Sequence, residues 1–221
     1  MTINETATRI RQAGIIAIIR GDFPLHQLLT IAQTLSSSNI SVLEITLNSE
    51  NALDGITLVR KKISAEVLVG AGTVRTKSDV DDALNAGAQF IVSPNFDPAS
   101  VARTQEADVL HLPGIFTATE AQAAYAAGCD LVKLFPADAL GPSYLKALRA
   151  PLDQVGFVPT GGITADNLGS YIQAGAVAFG VGSSLVSNKD SSMANLADRA
   201  TKMNLALKRA REAAASNPVS K

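Results

Sequence analysis

The sequence predicts a single (β/α)₈ barrel, or TIM barrel, preceded by a short N-terminal helix. Eight short apolar segments recur along the 221 residues, and amphipathic segments separate them. Continuous apolar runs are typical of parallel strands that are covered on both faces. Eight strand–helix units in a chain of this length average about 25–30 residues each, which suits a compact barrel.

Each predicted strand is a short apolar run. The eight are 14–20 (GIIAIIR), 42–47 (VLEITL), 66–72 (EVLVGAG), 90–95 (FIVSPN), 108–115 (DVLHLPGI), 131–136 (LVKLFP), 157–162 (FVPTGG) and 178–183 (AFGVGS). Residues 2–13 are predicted to form a helix that closes the bottom of the barrel. We therefore assign 1–13 to the N-terminal helix, 14–212 to the barrel domain and 213–221 to a flexible tail.

The segments between the strands carry helix start and stop signals. Three of them end in Ala-Gly, the usual left-handed cap, at Gly87, Gly128 and Gly175. The same three begin with a threonine that precedes an acidic residue by two or three positions, at Thr76, Thr117 and Thr164. A doubly wound open sheet is the alternative. It is disfavoured because no G-x-G-x-x-G follows the first strand, and GAGTVR at 70–75 lacks the third glycine.

The composition narrows the class of protein and of partner. Hydrophobic residues make up 47% of the chain, enough for a substantial core, so we do not expect disorder. The 19 basic and 20 acidic residues nearly balance, and no basic stripe indicates a nucleic-acid partner. No apolar run is long enough to span a membrane, and the start MTINETATRIRQAG lacks a secretory h-region. The cytoplasm is therefore the expected location.

Residues that prefer transition metals are scarce. The chain has one cysteine, Cys129, and two histidines, His26 and His111, which argues against a zinc cluster and against metal-dependent aldol chemistry. Carboxylate-bound magnesium is less firmly excluded. We interpret Cys129 as a packing residue and His111 as a core histidine with satisfied hydrogen bonds. No metal is expected.

Lys133 lies in the middle of the apolar run LVKLFP, where lysine is rarely found because burying an ammonium is costly. Alternation along a strand places it on one face with Leu131 and Phe135. Burial lowers the pKa of an amine, so the neutral form becomes available to attack a ketone. The resulting iminium draws electrons from an adjacent C–C bond. The alternative is a structural lysine paired with a buried carboxylate.

Glu44 shares one face of the predicted strand VLEITL with Thr46. This strand and the strand of Lys133 both end at the C-terminal opening, or mouth, of the predicted barrel, where barrel enzymes carry their active sites. Schiff-base formation and C–C cleavage each move a proton. A carboxyl group whose pKa is raised by apolar surroundings can transfer that proton. Glu44 is therefore the candidate general acid/base, and the alternative is a salt bridge to Lys133 or Arg20.

The glycine-rich ends of the last two strands indicate a phosphate site. Gly161 and Gly162 let the backbone approach an anion, and the helix predicted to begin near Thr164 would present its N-terminus. The run GVGSS at 180–184 adds backbone amides and the hydroxyls of Ser183 and Ser184. Barrels often hold a phosphate between these two loops. The alternative is that the glycines serve only as turn residues.

Two further residues stand at strand ends. Arg20, at the end of the first strand, is either a bidentate ligand for a carboxylate or a rim charge. Pro94, in VSPN at 92–95, either forms a wall of the mouth or stops the strand.

Nine segments that include the residues above resemble the 2-keto-3-deoxy-6-phosphogluconate (KDPG) aldolase family. Its members are class I Schiff-base aldolases built on a (β/α)₈ barrel. The similar segments run in order from about residue 14 to 187. They are IIAIIRG, VLEITLNS, VGAGTV, GAQFIVSPN, LPGIFTATEA, LVKLFPAD, GPSYLKALRAP, FVPTGGIT and GVGSSLV. The resemblance implies a homotrimer that needs neither a metal nor an organic cofactor.

The resemblance also implies roles for single residues. Lys133 would form the Schiff base with pyruvate or the substrate ketone, and Glu44 would be the general acid/base. Thr73 and an arginine would hold the pyruvate carboxylate. Phe135 and Pro94 would line the pocket, and Thr160 would contact substrate hydroxyls. The distal phosphate would be bound by Gly161, Gly162 and Ser183.

One position departs from part of the family. Some members carry an arginine in a TLRT-like run after the second strand, where this chain has TLNS with Asn48. Other members supply the arginine from the end of strand one, so the carboxylate role passes to Arg20. Asn48 and the SPN run also resemble the branch that acts on the galactonate epimer (KDPGal), which leaves the configuration at C4 open.

The leading hypothesis is reversible cleavage of KDPG into pyruvate and glyceraldehyde 3-phosphate, with 4-hydroxy-2-oxoglutarate as a second substrate. A rival uses the same iminium to decarboxylate oxaloacetate, and in that case the glycine loops would matter little. A non-catalytic barrel that binds a phosphorylated ligand is the alternative outside the enzymes. The expected partner is a small 2-keto acid, without nucleic acid or membrane.

Overall fold

Parallel strands curl into a barrel in the computed structural model, which describes residues 1–190 and 192–216. The strands are β1 (Ile15–Ile19), β2 (Val42–Thr46), β3 (Leu68–Gly72), β4 (Phe90–Val92), β5 (Leu110–Leu112), β6 (Gly114–Ile115), β7 (Leu131–Leu134), β8 (Gly156–Pro159) and β9 (Phe179–Val181). They pair in the orders β5-β4-β3-β2-β1-β9 and β6-β7-β8. All of these pairs are parallel, as the continuous apolar runs predict.

The barrel closes at two points where regular pairing is interrupted. β5 and β6 are two parts of one predicted strand, separated by Pro113, and together they join the two sets of strands. A single bridge between Thr160 and Gly180 links the end of β8 to β9. Eight strand segments therefore close the (β/α)₈ barrel, and this fold prediction is confirmed.

Helices cover the outside of the strands. They are α1 (Ile3–Ala13), α2 (Leu25–Ser37), α3 (Ala52–Lys62), α4 (Lys77–Asn85), α5 (Pro98–Glu106), α6 (Ala118–Ala126), α7 (Gly141–Arg149), α8 (Leu168–Gln173) and α9 (Met193–Ser216). A short 3₁₀ turn, Ala137–Ala139, follows β7. None of the helices in the described ranges is long and apolar enough to cross a bilayer.

The strand pleat divides the apolar residues into two cores. One lies inside the barrel and the other lies between the strands and the helices. Val42, Phe90 and Leu131 belong to the inner core, whereas their neighbours Leu43 and Ile91 belong to the outer one. Alternation therefore decides which side chains enter the barrel, and it places the odd-numbered positions of β7 inside.

Helix α1 closes the bottom of the barrel, as the sequence predicts. Ala7 and Ile10 pack against the inner core, beside the residues that begin the strands. Thr2 caps the helix in a capping box with Glu5. At its other end, the Arg211 guanidinium of α9 donates to the backbone carbonyls of Arg11 (2.7 Å) and Gln12 (2.8 Å).

Two of the three predicted helix starts are confirmed. Thr76 and Thr117 cap α4 and α6, each in a capping box with the acidic residue three positions later. The third prediction is wrong, because α8 begins at Leu168 and not near Thr164. The Asn167 side chain accepts from the Thr164 amide (2.9 Å) and donates to the Gly162 carbonyl (2.7 Å), which holds these residues in a turn.

The chain end differs in part from the predicted division. Helix α9 continues to Ser216, so residues 213–216 of the expected tail are helical. The rest of that tail, 217–221, lies outside the described residues.

Candidate active site

Lys133 lies inside the barrel, on the inner face of β7. Its backbone pairs with Gly114 of β6 and Val158 of β8, and only 3% of the residue is exposed. Leu131 belongs to the inner core, while Val132 and Leu134 pack in the outer core. Strand parity thus buries an amine in the barrel, on the face predicted from the sequence.

Glu44 projects into the same interior from β2 and is 1% exposed. Its backbone pairs with Ile18 of β1 and Gly70 of β3. The side chain lies over Gly72, where a Cβ atom would overlap Oε1. Glycine at this position of β3 therefore leaves the space that the carboxyl group occupies.

Burial dominates the electrostatics of this pair. It raises the pKa of Glu44, and the positive charges of Lys133 and Arg20 oppose that rise. Burial also lowers the pKa of Lys133, with Glu44 acting in the opposite direction and Arg20 in the same one. Both groups are shifted toward their neutral forms, a free amine and a protonated acid.

Lys133 and Glu44 influence each other's pKa but do not form an ion pair in the described parts of the chain. In the described parts of the chain, Lys133 Nζ forms no ion pair within 4.0 Å with Glu44. Glu44 Oε1 is buried without a hydrogen-bond partner among the described residues. Unsatisfied buried oxygens are rare in folded proteins and call for an explanation. The structural alternative, a buried Lys133–Glu44 salt bridge, is not what this geometry shows.

A cavity of about 620 Å³ opens at the mouth of the barrel. Seven of the predicted binding residues line it: Arg20, Phe135, Thr160, Gly161, Gly162, Ser183 and Ser184. The lining residues do not include Lys133, Glu44, Thr73 or Pro94. Phe135 connects the two groups, because its ring lines the cavity and its centroid lies 4.9 Å from Lys133 Nζ.

The glycine-rich loops form one side of this cavity. Gly161 and Gly162 have φ values of +99° and +66°, which only glycine adopts readily. The Ser184 hydroxyl donates to the Ile163 carbonyl (2.6 Å) and so ties the loop after β9 to the loop after β8. The Ser184 hydroxyl is therefore already used as a donor between the two loops, whereas Ser183 is exposed and lines the cavity.

Thr73 has an unusual backbone conformation at the end of β3. Its φ is +58°, in the left-handed region that β-branched residues avoid. Such strain costs about 1–3 kcal/mol and persists where the surrounding structure imposes it, often at functional sites. Pro94 lies at the end of β4, where its carbonyl packs against Gly114 of β6, one strand from Lys133.

The sequence interpretation missed two groups at this mouth. Ser49 accepts from the Gly21 amide (3.0 Å) and contacts the Thr46 hydroxyl (3.0 Å), which fixes the backbone next to Arg20. Lys189 also lines the cavity. The only available signal was the position of each residue a few places after a strand.

The chain matches the family model described as KDPG and KHG aldolase over residues 6–201. It belongs to that family. This aldolase is 38% identical over 173 residues to the 2-dehydro-3-deoxy-phosphogluconate aldolase of Treponema pallidum, which covers 78% of this chain and 80% of that protein. It is also 38% identical over 172 residues to the probable 2-dehydro-3-deoxy-6-phosphogalactonate aldolase of Rhizobium meliloti, with 77% and 81% covered.

A solved relative of this aldolase carries a reaction intermediate. The KDPG aldolase of Legionella pneumophila was solved with pyruvate captured at low pH as a covalent carbinolamine, and it shares 29% identity and a TM-score of 0.79. The match covers 90% of this chain and 95% of that one. The resemblance drawn from the sequence is confirmed, and with it the assignment to the aldolases, which are lyases.

His111 of the aldolase lies outside this site, in the outer layer between the barrel and α5. Its Nε2 lies 2.7 Å from the Ser93 hydroxyl, and its Nδ1 lies 3.3 Å from the Thr104 hydroxyl. Thr104 donates its own proton to the Val101 carbonyl, so Thr104 accepts from Nδ1–H and Ser93 donates to Nε2. His111 is thus a core histidine with satisfied hydrogen bonds, as the sequence predicts.

The buried His111 is expected to make the aldolase sensitive to acid. Burial lowers its pKa to about 4, against the opposing charge of Asp97, whereas the unfolded chain has a value near 6.5. The unfolded state therefore binds the proton first, and stability falls as the pH falls from 6.5 to 4, by about 3 kcal/mol in all. Urea unfolding of the His111→Gln variant across this range should show a smaller loss.

The exposed His26 provides the matched control. His26→Gln should keep the acid sensitivity of the unmodified aldolase. An unchanged slope between pH 4 and 6.5 in His111→Gln would contradict the assignment.

Proposed function

We propose that the chain is a class I aldolase in which Lys133 is the nucleophile and Glu44 the general acid/base. The observation that carries this proposal is the buried, unbridged pair of an amine and a carboxyl group, both shifted toward their neutral forms. A neutral amine is the form that attacks a ketone, and a protonated carboxyl is the form that releases water from the adduct.

The reaction proceeds in balanced steps. Lys133 Nζ adds to the C2 carbonyl, and Glu44 gives a proton to the departing hydroxyl, which leaves as water and forms the iminium. Glu44, now a carboxylate, takes the proton of the C4 hydroxyl. The C3–C4 bond then breaks, its electron pair moves to the iminium, and the aldehyde leaves. Protonation of the enamine at C3 and hydrolysis release pyruvate and free Lys133.

The remaining residues bind the two ends of the substrate. Arg20 and Thr73 hold the carboxylate beside Lys133, a role supported by the influence of Arg20 on the pKa of both reacting groups. Phe135 and Pro94 form apolar walls, and Thr160 contacts substrate hydroxyls. The distal phosphate rests on the backbone amides of Gly161, Gly162 and Ser184 and on the hydroxyl of Ser183.

The substrate is a 2-keto-3-deoxy-6-phosphosugar acid, KDPG as the leading candidate. The products are then pyruvate and glyceraldehyde 3-phosphate. Relatives named for the gluconate and galactonate substrates are equally similar at 38% identity, so the galactonate epimer is the second candidate. Cleavage of 4-hydroxy-2-oxoglutarate to pyruvate and glyoxylate, and decarboxylation of oxaloacetate, use the same iminium. We further propose a homotrimer in the cytoplasm, for which light scattering tests the mass in solution.

Borohydride trapping tests the mechanism directly. With pyruvate and borohydride, mass spectrometry of the digested protein should find the reduced pyruvate adduct on Lys133. If Lys133 carries no adduct, every Schiff-base mechanism is ruled out. That result would favour a non-catalytic, phosphate-binding barrel. Values of kcat/KM for KDPG, KDPGal, hydroxyoxoglutarate and oxaloacetate then rank the substrates. A large margin for oxaloacetate would overturn the aldolase assignment.

A further inference from the structure

The loop that follows β9, Gly182–Asp190, forms one wall of the mouth cavity and is called the β9 loop below. Its residues Ser183, Asn188 and Lys189 line the cavity beside the end of β1, the strand that pairs with β9. Lys189 is exposed, and its side chain is the only ammonium among the described residues that line this cavity. No role for it follows from the reaction at Lys133.

The β9 loop is held in place from several directions. Arg199 of α9 donates from Nε to the Leu185 carbonyl (2.8 Å), and its guanidinium pairs with Asp190 (2.6 Å). Ser184 ties the loop to Ile163, as described above. The position of Lys189 in the cavity wall is therefore set by contacts on both sides of it, at Leu185 and at Asp190.

The far end of the loop also touches β1. The Asn188 side chain packs against Gly21, where a Cβ atom would lie 2.5–2.7 Å from the amide group. Gly21 has a φ of +138°, a conformation open to glycine. The loop thus reaches the strand end that carries Arg20, and the two cations belong to one cavity.

Lys189 has no counterion among the residues that the structure describes. The adjacent Asp190 is bound to Arg199, and no carboxylate of the described residues lies within 4.0 Å of Lys189 Nζ. The Asp138 side chain, in the 3₁₀ turn after β7, packs against Gly162 and places a negative charge beside the proposed phosphate site. An anion seated there needs a compensating cation.

The cavity lining offers two cations, Arg20 and Lys189. The charge of Arg20 shifts the pKa of both Lys133 and Glu44, whereas Lys189 is not among the groups that affect either. The proposed substrate carries a carboxylate next to the reacting ketone and a phosphate at the far end. Two cations that line one cavity match the two anionic groups of the proposed substrate.

We propose that Lys189 binds the distal phosphate of the substrate and so sets the preference for phosphorylated over unphosphorylated aldol substrates. This inference rests on the proposed aldolase function and deepens it. A phosphate monoester carries nearly two negative charges at neutral pH. An ion pair between the exposed Lys189 and this phosphate is worth roughly 10- to 30-fold in kcat/KM, and salt weakens it.

The test compares two aldehydes that differ only in the phosphate. The rate of aldol addition of pyruvate is measured with glyceraldehyde 3-phosphate and with glyceraldehyde. Lys189→Gln should lower kcat/KM for the phosphorylated aldehyde about 10- to 30-fold, mostly through KM. It should leave glyceraldehyde and the borohydride adduct unchanged. Lys189→Arg should keep most of the preference, and Lys61→Gln, an exposed lysine on α3, should change nothing.

Salt provides a second readout. Raising the ionic strength should lower kcat/KM for glyceraldehyde 3-phosphate in the unmodified enzyme and much less in Lys189→Gln. An unchanged ratio of the two aldehydes in Lys189→Gln overturns the role of Lys189 while leaving the aldolase intact. Absence of the pyruvate adduct in the unmodified protein, by contrast, is a failure of the proposed function.

Discussion

Replacing Lys133 with methionine is expected to abolish turnover, by at least about 10⁴-fold, and to abolish the borohydride adduct as well. Methionine has nearly the same length and fills the same space inside the barrel, but it has no nucleophilic nitrogen. No other lysine reaches the interior of the described barrel, because Lys133 is the only lysine among the buried residues that the structure describes. Both losses should therefore be complete.

The same variant is expected to be as stable as the parent or more stable. Burial lowers the pKa of Lys133, so at neutral pH the unfolded chain holds its proton more readily than the folded one. The lysine therefore costs folding free energy that methionine does not. Loss of the ammonium lets the pKa of Glu44 rise further, so the carboxyl stays protonated and leaves no stranded charge.

Thermal unfolding and activity measured on one preparation check both halves of this prediction. Lys61→Met, on the exposed surface of α3, is the matched control and should retain full activity. A Lys133→Met protein that keeps a tenth of the parent's turnover would remove Lys133 from the mechanism. A large loss of stability would instead point to a structural role for the buried amine.

Glu44→Gln is expected to lower kcat by about 10²- to 10⁴-fold, the usual contribution of a general acid/base. Glutamine has the same shape and fits over Gly72, but it cannot carry the proton between steps. Lys133 remains, so the pyruvate adduct should still form, more slowly. This difference separates the two roles, since the lysine variant forms no adduct at all.

The pH profile adds a readout that a structural role would not move. In the unmodified enzyme the fraction of Lys133 in the neutral form increases with pH. The fraction of Glu44 in the protonated form decreases as the pH passes its raised pKa, so the rate should first rise and then fall. Glu44→Gln should lose the decline and keep the rise. Glu66→Gln, exposed before β3, should leave the profile unchanged. Equal and complete loss of adduct in both site variants would contradict the division of labour between Lys133 and Glu44.

The sequence alone determined the fold and which side chains share a face of each strand. Short apolar runs report burial on both sides of a strand, and alternation along a strand is a local property. For that reason the parity of LVKLFP correctly predicts that Lys133 shares a face with Leu131. That this face and the face of Glu44 turn into the barrel is a finding of the structure. The capping boxes at Thr76 and Thr117 are local in the same sense, and they too were predicted.

Only the tertiary structure decided what lies next to each of these residues. The space for Glu44 comes from Gly72 on the neighbouring strand, and the wall that carries Lys189 is held by Arg199 of the last helix. Helix α8 begins at Leu168, whereas the sequence predicted a start near Thr164. The Asn167 side chain accepts from the Thr164 amide and holds these residues in a turn, which outweighs the capping signal at Thr164. These contacts join segments through the pairing of strands and the packing of loops, and no local pattern of residues encodes those distances.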